Sequence, residues 1–298
     1  MYCGCSPLKR LIVNADDFGF TSGVNAGILR GFREGIVTSA TILANGDAFE
    51  EAAAMARAQR GLSVGCHLAL VGARPLAKPA DVPSLIDRDG LMPRTLWQLV
   101  SLLVRGVLRV SDIEHEFRVQ LERVRAAGVQ PTHLDTHKHA HSHPRVMEAM
   151  ARVAREAGIR WVRNPFETPH WPAFPGPAAR RRRCAYLKQY GLAMGLRVHA
   201  ARFRLLADAN GLSMPDHFAG MSLTGMLDGP ALAGAIRSVR DGLTELVCHP
   251  GVYDGDLEAA PTRLKREREQ ELAALTDPEV RRCIRDAGIV LVGYGELG

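Results

Sequence analysis

The stretch LIVNADDFGF, residues 11–20, begins with an apolar run and contains two adjacent carboxylates, Asp16 and Asp17. An apolar run of this length predicts a buried β-strand, and the two aspartates come where that strand would end. Side-by-side like charges are unfavourable unless something stabilises them. We therefore expect one aspartate of the pair to bind a cation, which relieves the repulsion from the other.

Short apolar runs alternate with longer helical patterns along the rest of the chain. The strand-like runs cover 38–45, 62–70, 132–137, 159–164, 244–251 and 289–294, and the helical patterns cover 24–35, 48–61, 112–128, 144–158, 230–242 and 262–275. Alternation at this spacing predicts parallel strands joined by right-handed crossovers. A length of 298 residues is ordinary for one (β/α) barrel. We therefore predict an α/β barrel that forms a single domain over residues 1–298.

Two stretches interrupt this alternation, at about 71–110 and 165–222. The first carries Pro and Gly and then RTLWQLVSLLVRGVLRV, and the second begins NPFETPHWPAFPGP and continues through the run Arg180–Arg183. Neither contains a repeat. We interpret both as insertions on the barrel, and loops of this length are usually functional.

Composition excludes several classes of protein. The chain is 46% apolar with a net charge of +6, so it can form a core and carries only a moderate basic bias. No helix-turn-helix, zinc-finger or RNP-like signature accompanies that charge, and we expect no nucleic-acid partner. The six cysteines show no CxxC spacing, and Cys3-Gly4-Cys5 is too little for a zinc site. No leader peptide and no 18-residue apolar stretch is visible, which predicts a cytoplasmic location.

Polar residues follow the predicted strands at their carboxyl ends. Asp16 and Asp17 end the first strand, and a histidine ends each of three others: His67, His137 and His249. In a parallel barrel these ends converge on one face, where active sites are built. Two histidines and one carboxylate form a facial ligand set for one divalent metal ion, and a second carboxylate beside it would serve as general base.

The segment HLDTHKHAHSH, residues 133–143, is rich in histidine. If it is extended, alternation puts His137, His139 and His141 on one side. We expect only His137 to contact the metal and assign His139 and His141 to the lining of the substrate pocket.

Four ordered motifs resemble those of the YdjC-like carbohydrate deacetylases, the group that contains chitooligosaccharide deacetylase. They are NADDFGFTSGVNAGILRGFREGIVTSATILANG, GCHLAL, PTHLDTHKHAH and ELVCHPG. The resemblance implies a distorted TIM-like barrel and metal-dependent removal of an acetyl group from an N-acetylated sugar. It also implies that Asp17, His67 and His137 bind the metal, that Asp16 is the base and that His249 is the general acid. Lys138 departs from the family pattern HHH, which affects nearby sugar contacts but not the metal.

The middle of the chain, with NPFETPHWP and MPDHFAGMSLTG, is similar to the hopanoid-biosynthesis-associated (HpnK-type) branch of this family. That similarity implies an N-acetylglucosaminyl hopanoid lipid as substrate. A helix over 96–110 with apolar Leu96, Leu99, Val100, Leu103, Val107 and Val110 on one face would then rest at the inner membrane face, and Arg180–Arg183 would meet anionic headgroups. The alternative to membrane contact is that the helix over 96–110 packs on the barrel and that Arg180–Arg183 is a solvated charge run.

Other readings remain open from the sequence. Soluble chitooligosaccharides are the alternative substrate. The HxHxH at 137–141 also suggests a PHP-type metal phosphoesterase, although that family has its HxH at the first strand. A non-catalytic sugar- or lipid-binding barrel is a third reading. Zinc or magnesium is the expected metal, and cobalt, nickel and manganese suit the same ligands. The sequence does not indicate an oligomeric state.

Overall fold

The structure is a computed structural model that describes residues 8–169 and 176–298. Cys3 and Cys5, for which the sequence predicts no zinc site, lie outside the described residues. Residues 170–175 of the second insertion also lie outside them. The described strands all pair in parallel within one sheet. In chain order they are β1 (Lys9–Phe18), β2 (Ser39–Ile42), β3 (Ser63–Leu68), β4 (His133–Thr136), β5 (Trp161–Val162), β6 (His217–Ala219), β7 (Gly242–Cys248) and β8 (Ile289–Leu291).

The sheet curls into a barrel. Its order is β5-β4-β3-β2-β1-β7-β6, and β8 pairs with the first residues of β1. The two ends of this order meet through a parallel bridge between Trp161 and Ser213 and a 2.8 Å hydrogen bond from the Thr168 backbone N–H to the Phe218 carbonyl. The predicted α/β fold, a distorted TIM-like barrel, is therefore confirmed. The barrel is distorted where β5 and β6, the two ends of this order, lack regular strand pairing.

Helices follow most strands and cover the outside of the barrel. The six helices predicted from the sequence are present, and further ones fill the insertions and the C-terminal part. The bounds are α1 (Ser22–Arg33), α2 (Phe49–Ala58), α3 (Leu96–Val104), α4 (Val110–Ala126), α5 (Pro144–Glu156), α6 (Pro177–Arg181), α7 (Arg183–Leu196), α8 (Ala200–Ala209), α9 (Gly229–Arg237), α10 (Gly255–Ala259), α11 (Glu267–Leu275) and α12 (Pro278–Asp286). None of the described helices is long and apolar enough to cross a bilayer.

Alternate residues of each strand face the helices and the barrel interior. In β1 the outward residues Leu11, Val13 and Ala15 join the large hydrophobic core beneath the helices. The inward set begins with Ile12, which packs with Leu243 and Tyr294 in a small separate cluster. Above that cluster the interior is polar and buried, with Asn14, Asp16, Thr41, His67, Asp135, Arg163 and Glu245. The barrel thus encloses a column of polar groups that leads to the carboxyl ends of the strands.

A glycine makes room at the floor of this column. The ring of His133 stacks on Tyr294 with centroids 3.7 Å apart. A Cβ added to Gly65 on the neighbouring strand would lie 2.5 Å from that imidazole. Any larger residue at 65 would displace His133 and disturb the strand that carries Asp135 and His137.

The prediction of one helix over 96–110 is wrong, because the observed helix is shorter. The structure ends α3 at Val104, and Gly106 adopts a left-handed conformation with φ +69. The next helix, α4, begins at Val110, two residues before the predicted start at 112, and Asp112 accepts a hydrogen bond from the Ser84 backbone N–H. The six apolar residues therefore do not share one helical face. Strand β6, which lies within the second insertion and completes the barrel, was not predicted from the sequence.

Candidate active site

Asp16 and Asp17 reach the same cavity because β1 is irregular at its end. In a regular strand neighbouring side chains point to opposite faces. The register of β1 on β2 shifts between Ala15 and Phe18, and Asp17 adopts a left-handed φ of 71. A non-glycine residue pays for that conformation, and such strain clusters at functional sites. As a result both carboxylates approach the His67 Nε2 atom, at 4.0 Å for Asp16 and 3.6 Å for Asp17.

His67, at the end of β3, is oriented by a buried carboxylate. Its Nδ1 atom lies 2.7 Å from Asp135 Oδ1 and 3.2 Å from Thr41 Oγ1. A carboxylate on Nδ1 fixes the tautomer that leaves Nε2 as the ligand atom, the arrangement common at metal-bound histidines. Burial lowers the pKa of His67, but Asp135 and Asp16 outweigh it and raise the pKa to about 9. The surrounding carboxylates thus favour positive charge at this imidazole.

His137, Asp17 and His67 bring three potential ligand atoms together. His137 Nδ1 lies 3.2 Å from Asp17 Oδ1 and 3.3 Å from His67 Nε2. Ligands held about 2.1 Å from one ion are separated from each other by about 3 to 3.5 Å, so this triangle has the size of a coordination face. The three residues predicted as metal ligands are therefore assembled in one place.

The donor set fits a divalent cation. Asp17 Oδ1 is buried and receives no hydrogen bond from any described residue. An unpaired buried carboxylate oxygen is costly, and a cation between it and the two imidazoles would satisfy it. Asp16, His67 and Asp135 form a second group of similar size. That group is less suited to a cation because Arg163 already neutralises both of its carboxylates.

Asp16 is held by a fully buried guanidinium. Arg163 donates to both of its carboxylate oxygens, at 2.8 and 2.7 Å, and also to Asp135 and Glu245. Asn14 donates a further hydrogen bond of 2.9 Å. Burial opposes ionisation of Asp16, but Arg163 outweighs it and holds the pKa of this carboxyl well below its usual range. Asp16 is therefore ionised, and its orientation is fixed beside the candidate metal ligands.

Asp17 is anchored from the opposite side. Its Oδ2 atom accepts a 2.6 Å hydrogen bond from the buried Arg268, which belongs to α11. Burial again opposes ionisation, but Arg268 and His137 outweigh it and hold the pKa of Asp17 well below its usual range. With Oδ2 engaged by Arg268, only Oδ1 of Asp17 remains for a cation.

His249 follows β7 at the same end of the barrel. The pairing of Ala15 with Cys248 puts His249 level with Asp16 on the neighbouring strand. Its backbone N–H donates to Glu271 at 2.6 Å, and its buried Nδ1 has no hydrogen-bond partner among the described residues. Burial lowers the pKa of His249 to about 4, although Asp16 and Asp17 act in the opposite direction. The imidazole is therefore neutral near pH 7.

The histidine-rich segment is not extended, so its predicted alternation is wrong. Residues 137–142 form a 3-10 helix with left-handed φ values of 55 and 52 at Lys138 and His139. His141 is fully buried, and its ring nitrogens contact Thr136 Oγ1 and the Arg163 carbonyl. His139 packs edge-on against Phe218. Both histidines are buried, and their contact with a substrate stays a prediction.

Several residues of the site were not identified from the sequence. Arg163 directly follows β5, so the rule that selected His67 and His137 applies to it as well. Asp135 is two residues before His137 and therefore on the same face of the chain. No local pattern marks Arg268 or Glu271, because both come from a helix and reach the site only through packing.

Substitution of Asp135 by asparagine tests the support of His67. An asparagine keeps the size of the side chain but removes the charge that stabilises the imidazole and Arg163. We expect the affinity for zinc to fall about 10- to 100-fold, which is typical when the residue that hydrogen-bonds to a metal-bound histidine is replaced. Chelator competition measures this, with the exposed Asp208→Asn as the matched control. Equal affinity in the Asp135 variant and the control would contradict this role.

Comparison with known proteins identifies a family and several similar relatives. The model of the YdjC-like protein family matches residues 10–286. The chain is 36% identical over 287 residues to a protein named carbohydrate deacetylase from Geobacillus stearothermophilus, covering 96% of this chain and 97% of the relative. It is 41% identical over 150 residues to the chitooligosaccharide deacetylase of Salmonella typhimurium, covering 50% of this chain and 57% of the relative.

A solved structure shares the fold over nearly the whole chain. It is a protein of Enterococcus faecalis named as a candidate cellobiose-phosphate cleavage protein, with a TM-score of 0.79 and 25% identity. The superposition covers 98% of this chain and 99% of the other. The matched range includes every candidate site residue, from Asp16 to Glu271. The chain belongs to the YdjC-like protein family.

Proposed function

We propose that this protein is a hydrolase that removes the acetyl group from an N-acetylated amino sugar, with one divalent metal ion as cofactor. The observation that carries the proposal is the triangle of Asp17 Oδ1, His67 Nε2 and His137 Nδ1, with the ionised Asp16 beside it. The near-full-length relative named carbohydrate deacetylase supports the reaction and the class of substrate.

In this mechanism Asp17, His67 and His137 would hold the ion. A bound divalent cation supplies a Lewis acid that makes a water acidic and polarises the acetamide carbonyl. Asp16, which is ionised and lies beside the three ligand residues, would accept the proton of the attacking water. Arg163 keeps its carboxylate ionised and correctly oriented for that transfer.

His249 supplies the proton that the leaving nitrogen needs. Hydrolysis of the amide breaks the C–N bond and requires one proton on the departing amine, which balances the proton lost by the water. His249 is neutral and level with Asp16, so it can receive that proton during the reaction and donate it to the amine. The products are acetate and the free amino sugar.

The release of acetate from a panel of amino sugars tests the proposal. We expect the zinc- or magnesium-loaded protein to release acetate from N-acetylglucosamine oligomers or from an N-acetylglucosaminyl lipid. Release from the lipid alone would assign the hopanoid-type substrate, and release from the oligomers alone would assign soluble chitooligosaccharides. Absence of acetate from every sugar, with intact metal binding, would favour the non-catalytic sugar- or lipid-binding barrel. Turnover of phosphate esters without acetate would favour the phosphoesterase.

The lipid-linked substrate has independent support from surface chemistry. Residues 177–207 contain eight Lys or Arg residues and no Asp or Glu. On α3, Trp97 and Val104 are 69% and 75% exposed, although the helix is shorter than predicted. Exposed apolar side chains and cations together suit an anionic membrane surface. We propose that the protein contacts the inner membrane face through these residues.

Flotation with liposomes tests this membrane contact. We expect binding to vesicles with anionic lipid and little binding to neutral vesicles, and Trp97→Ala should weaken it. The matched control is Trp161→Phe, which changes a tryptophan within the barrel rather than on α3. Failure to float with either kind of vesicle would contradict the membrane contact without affecting the deacetylase proposal.

A further inference from the structure

The buried polar column below Asp16 contains a carboxylate that the proposed mechanism does not use. Glu245 lies in the middle of β7 and is fully buried. The residues paired with it on the flanking strands, Ile12 of β1 and Phe218 of β6, are apolar. A carboxylate is rarely found in such a place, because its removal from water is costly unless it is paired and hydrogen-bonded. The burial of Glu245 therefore depends on specific partners.

Two hydrogen bonds hold the Glu245 carboxylate, one on each oxygen. Its Oε1 atom accepts from Arg163 Nε at 2.8 Å, and its Oε2 atom accepts from the Tyr294 hydroxyl at 2.7 Å. Arg163 and Tyr294 are also fully buried. The two Nη atoms of Arg163 donate to the carboxylates of Asp16 and Asp135. A single guanidinium is thus shared among three carboxylates.

The sharing of Arg163 couples Glu245 to Asp16. When Glu245 is ionised, its charge attracts Arg163 and limits how strongly the guanidinium binds the two aspartates. When Glu245 is protonated, this competition ends, and Arg163 binds Asp16 and Asp135 more strongly. Charge-assisted hydrogen bonds in a buried network are strong and depend on one another. A proton on Glu245 therefore changes the environment of Asp16 through the guanidinium.

Glu245 changes charge near neutral pH, whereas the groups around it do not. Burial raises the pKa of Glu245 to about 7, although Arg163 and the Tyr294 hydroxyl act in the opposite direction. Burial also lowers the pKa of His133 and raises the pKa values of Tyr294 and Cys248, so these three groups are neutral near pH 7. The charged and titratable groups around Glu245 on the elements packed against it are Asp16 on β1, His133 and Asp135 on β4, Arg163 after β5, Cys248 on β7 and Tyr294 after β8.

We propose that Glu245 is a positioning residue for the reaction at Asp16, and that activity falls when Glu245 takes up a proton. In its ionised form Glu245 holds Arg163 by the Nε edge, and the Nη atoms then orient Asp16 as observed. In its protonated form Arg163 binds Asp16 more strongly, which makes that carboxylate a weaker acceptor for the proton of the water. This role depends on the proposed deacetylase function for its reaction, whereas the coupling of Glu245 to Asp16 does not depend on turnover.

The pH dependence of kcat/KM for acetate release by the zinc-loaded protein tests this role. Tyr294→Phe removes a hydrogen bond that favours the ionised form of Glu245, so the midpoint of the pH transition should shift to higher pH. Glu245→Gln should lose the contribution of residue 245 to the transition and should have a kcat/KM about three- to tenfold lower above pH 7. Glu245→Asp keeps the charge and should recover part of that loss. The exposed Glu279→Gln is the matched control and should keep the wild-type profile.

Carbon-13 NMR of the side-chain carboxyl groups measures the coupling without turnover. In the zinc-loaded protein the Glu245 signal is assigned by its loss in Glu245→Gln, and the Asp16 signal by its loss in Asp16→Asn. We expect Glu245 to titrate near pH 7 and the Asp16 signal to shift with the same midpoint. In Tyr294→Phe both midpoints should move together to higher pH, which titration of a metal-bound water would not cause. This variant keeps the test decisive even if Glu245→Gln does not fold, because it leaves both carboxylates and Arg163 in place.

Two results would overturn the inference. One is an Asp16 signal that does not follow the Glu245 midpoint in the wild type and in Tyr294→Phe. The other is a pH profile of kcat/KM that is the same in the wild type, Tyr294→Phe and Glu245→Gln. If the two carboxyl signals shift together but no sugar loses acetate, the deacetylase proposal fails and the coupling stands. If acetate is released with one pH profile in all three proteins, the deacetylase proposal stands and the positioning role fails.

Discussion

Replacement of Asp16 by asparagine is expected to lower kcat about a thousandfold while the protein keeps its metal. General-base catalysis contributes about 10²- to 10⁴-fold, and an amide cannot accept the proton from water. The metal is expected to stay because Asp16 Oδ2 lies 4.0 Å from His67 Nε2, outside the triangle of ligand atoms. Acetate release and elemental analysis of the same preparation measure both quantities.

The adjacent Asp17→Asn is the matched control for this prediction. It changes a neighbouring carboxylate of the same type and should lose the metal together with the activity, because Asp17 Oδ1 belongs to the triangle. Circular dichroism verifies the fold of both variants, and Arg163 keeps Asp135 and Glu245 as partners when Asp16 is changed. Equal loss of metal from the two variants would contradict the division of labour between the aspartates.

Replacement of His137 by alanine is expected to remove the metal and with it the activity. This histidine is the safest of the three ligands to change, because its side chain is 24% exposed whereas that of His67 is 1% exposed. Replacing a residue that only hydrogen-bonds to a metal ligand lowers metal affinity about 10- to 100-fold, and replacing the ligand itself should lower it at least as much. We therefore expect substoichiometric metal after dialysis and a kcat/KM more than about a hundredfold lower.

The partly exposed His115→Ala provides the control, since His115 lies on α4 with its Nε2 atom 3.9 Å from Asp81 and belongs to neither candidate ligand group. It should keep both metal and activity. Added zinc at high concentration should partly restore the His137 variant, because Asp17 and His67 remain. Full activity of the His137 variant without metal would rule out a metal-dependent reaction at this site.

Much of the site could be predicted because strand order determines which residues meet. Parallel strands put His67, His137 and His249 at one end of the barrel, and each was identified by its place after an apolar run. The same reasoning applies to Arg163 but was not applied, because an arginine after a strand is not a distinctive signal. Asp135 was visible only as part of the HLDT motif, although it orients His67.

The remaining features depend on contacts that no local pattern contains. The irregular end of β1 lets Asp16 and Asp17 face the same cavity, whereas alternation alone would separate them. Arg268 reaches Asp17 from 251 residues away in the chain. The helix over 96–110 was overextended because its apolar spacing continues through Gly106, where the backbone turns. Similarly, β6 is only three residues long and lacks a clear strand pattern.

The four arginines of the run Arg180–Arg183 do not share one environment. The helices α6 and α7 meet at Arg182, so the four arginines do not form one continuous surface. Arg181 and Arg182 line a cavity beside the turn at Gly225, and Arg180 lines another cavity beside β6. The contact of this run with anionic headgroups stays a prediction.

Anomalous X-ray diffraction from crystals grown with zinc, recorded on both sides of the zinc absorption edge, tests the central claim most directly. We predict one anomalous peak per chain, within bonding distance of Asp17 Oδ1, His67 Nε2 and His137 Nδ1. No peak at these three atoms, or a zinc ion bound elsewhere in the chain while they stay empty, would contradict the account.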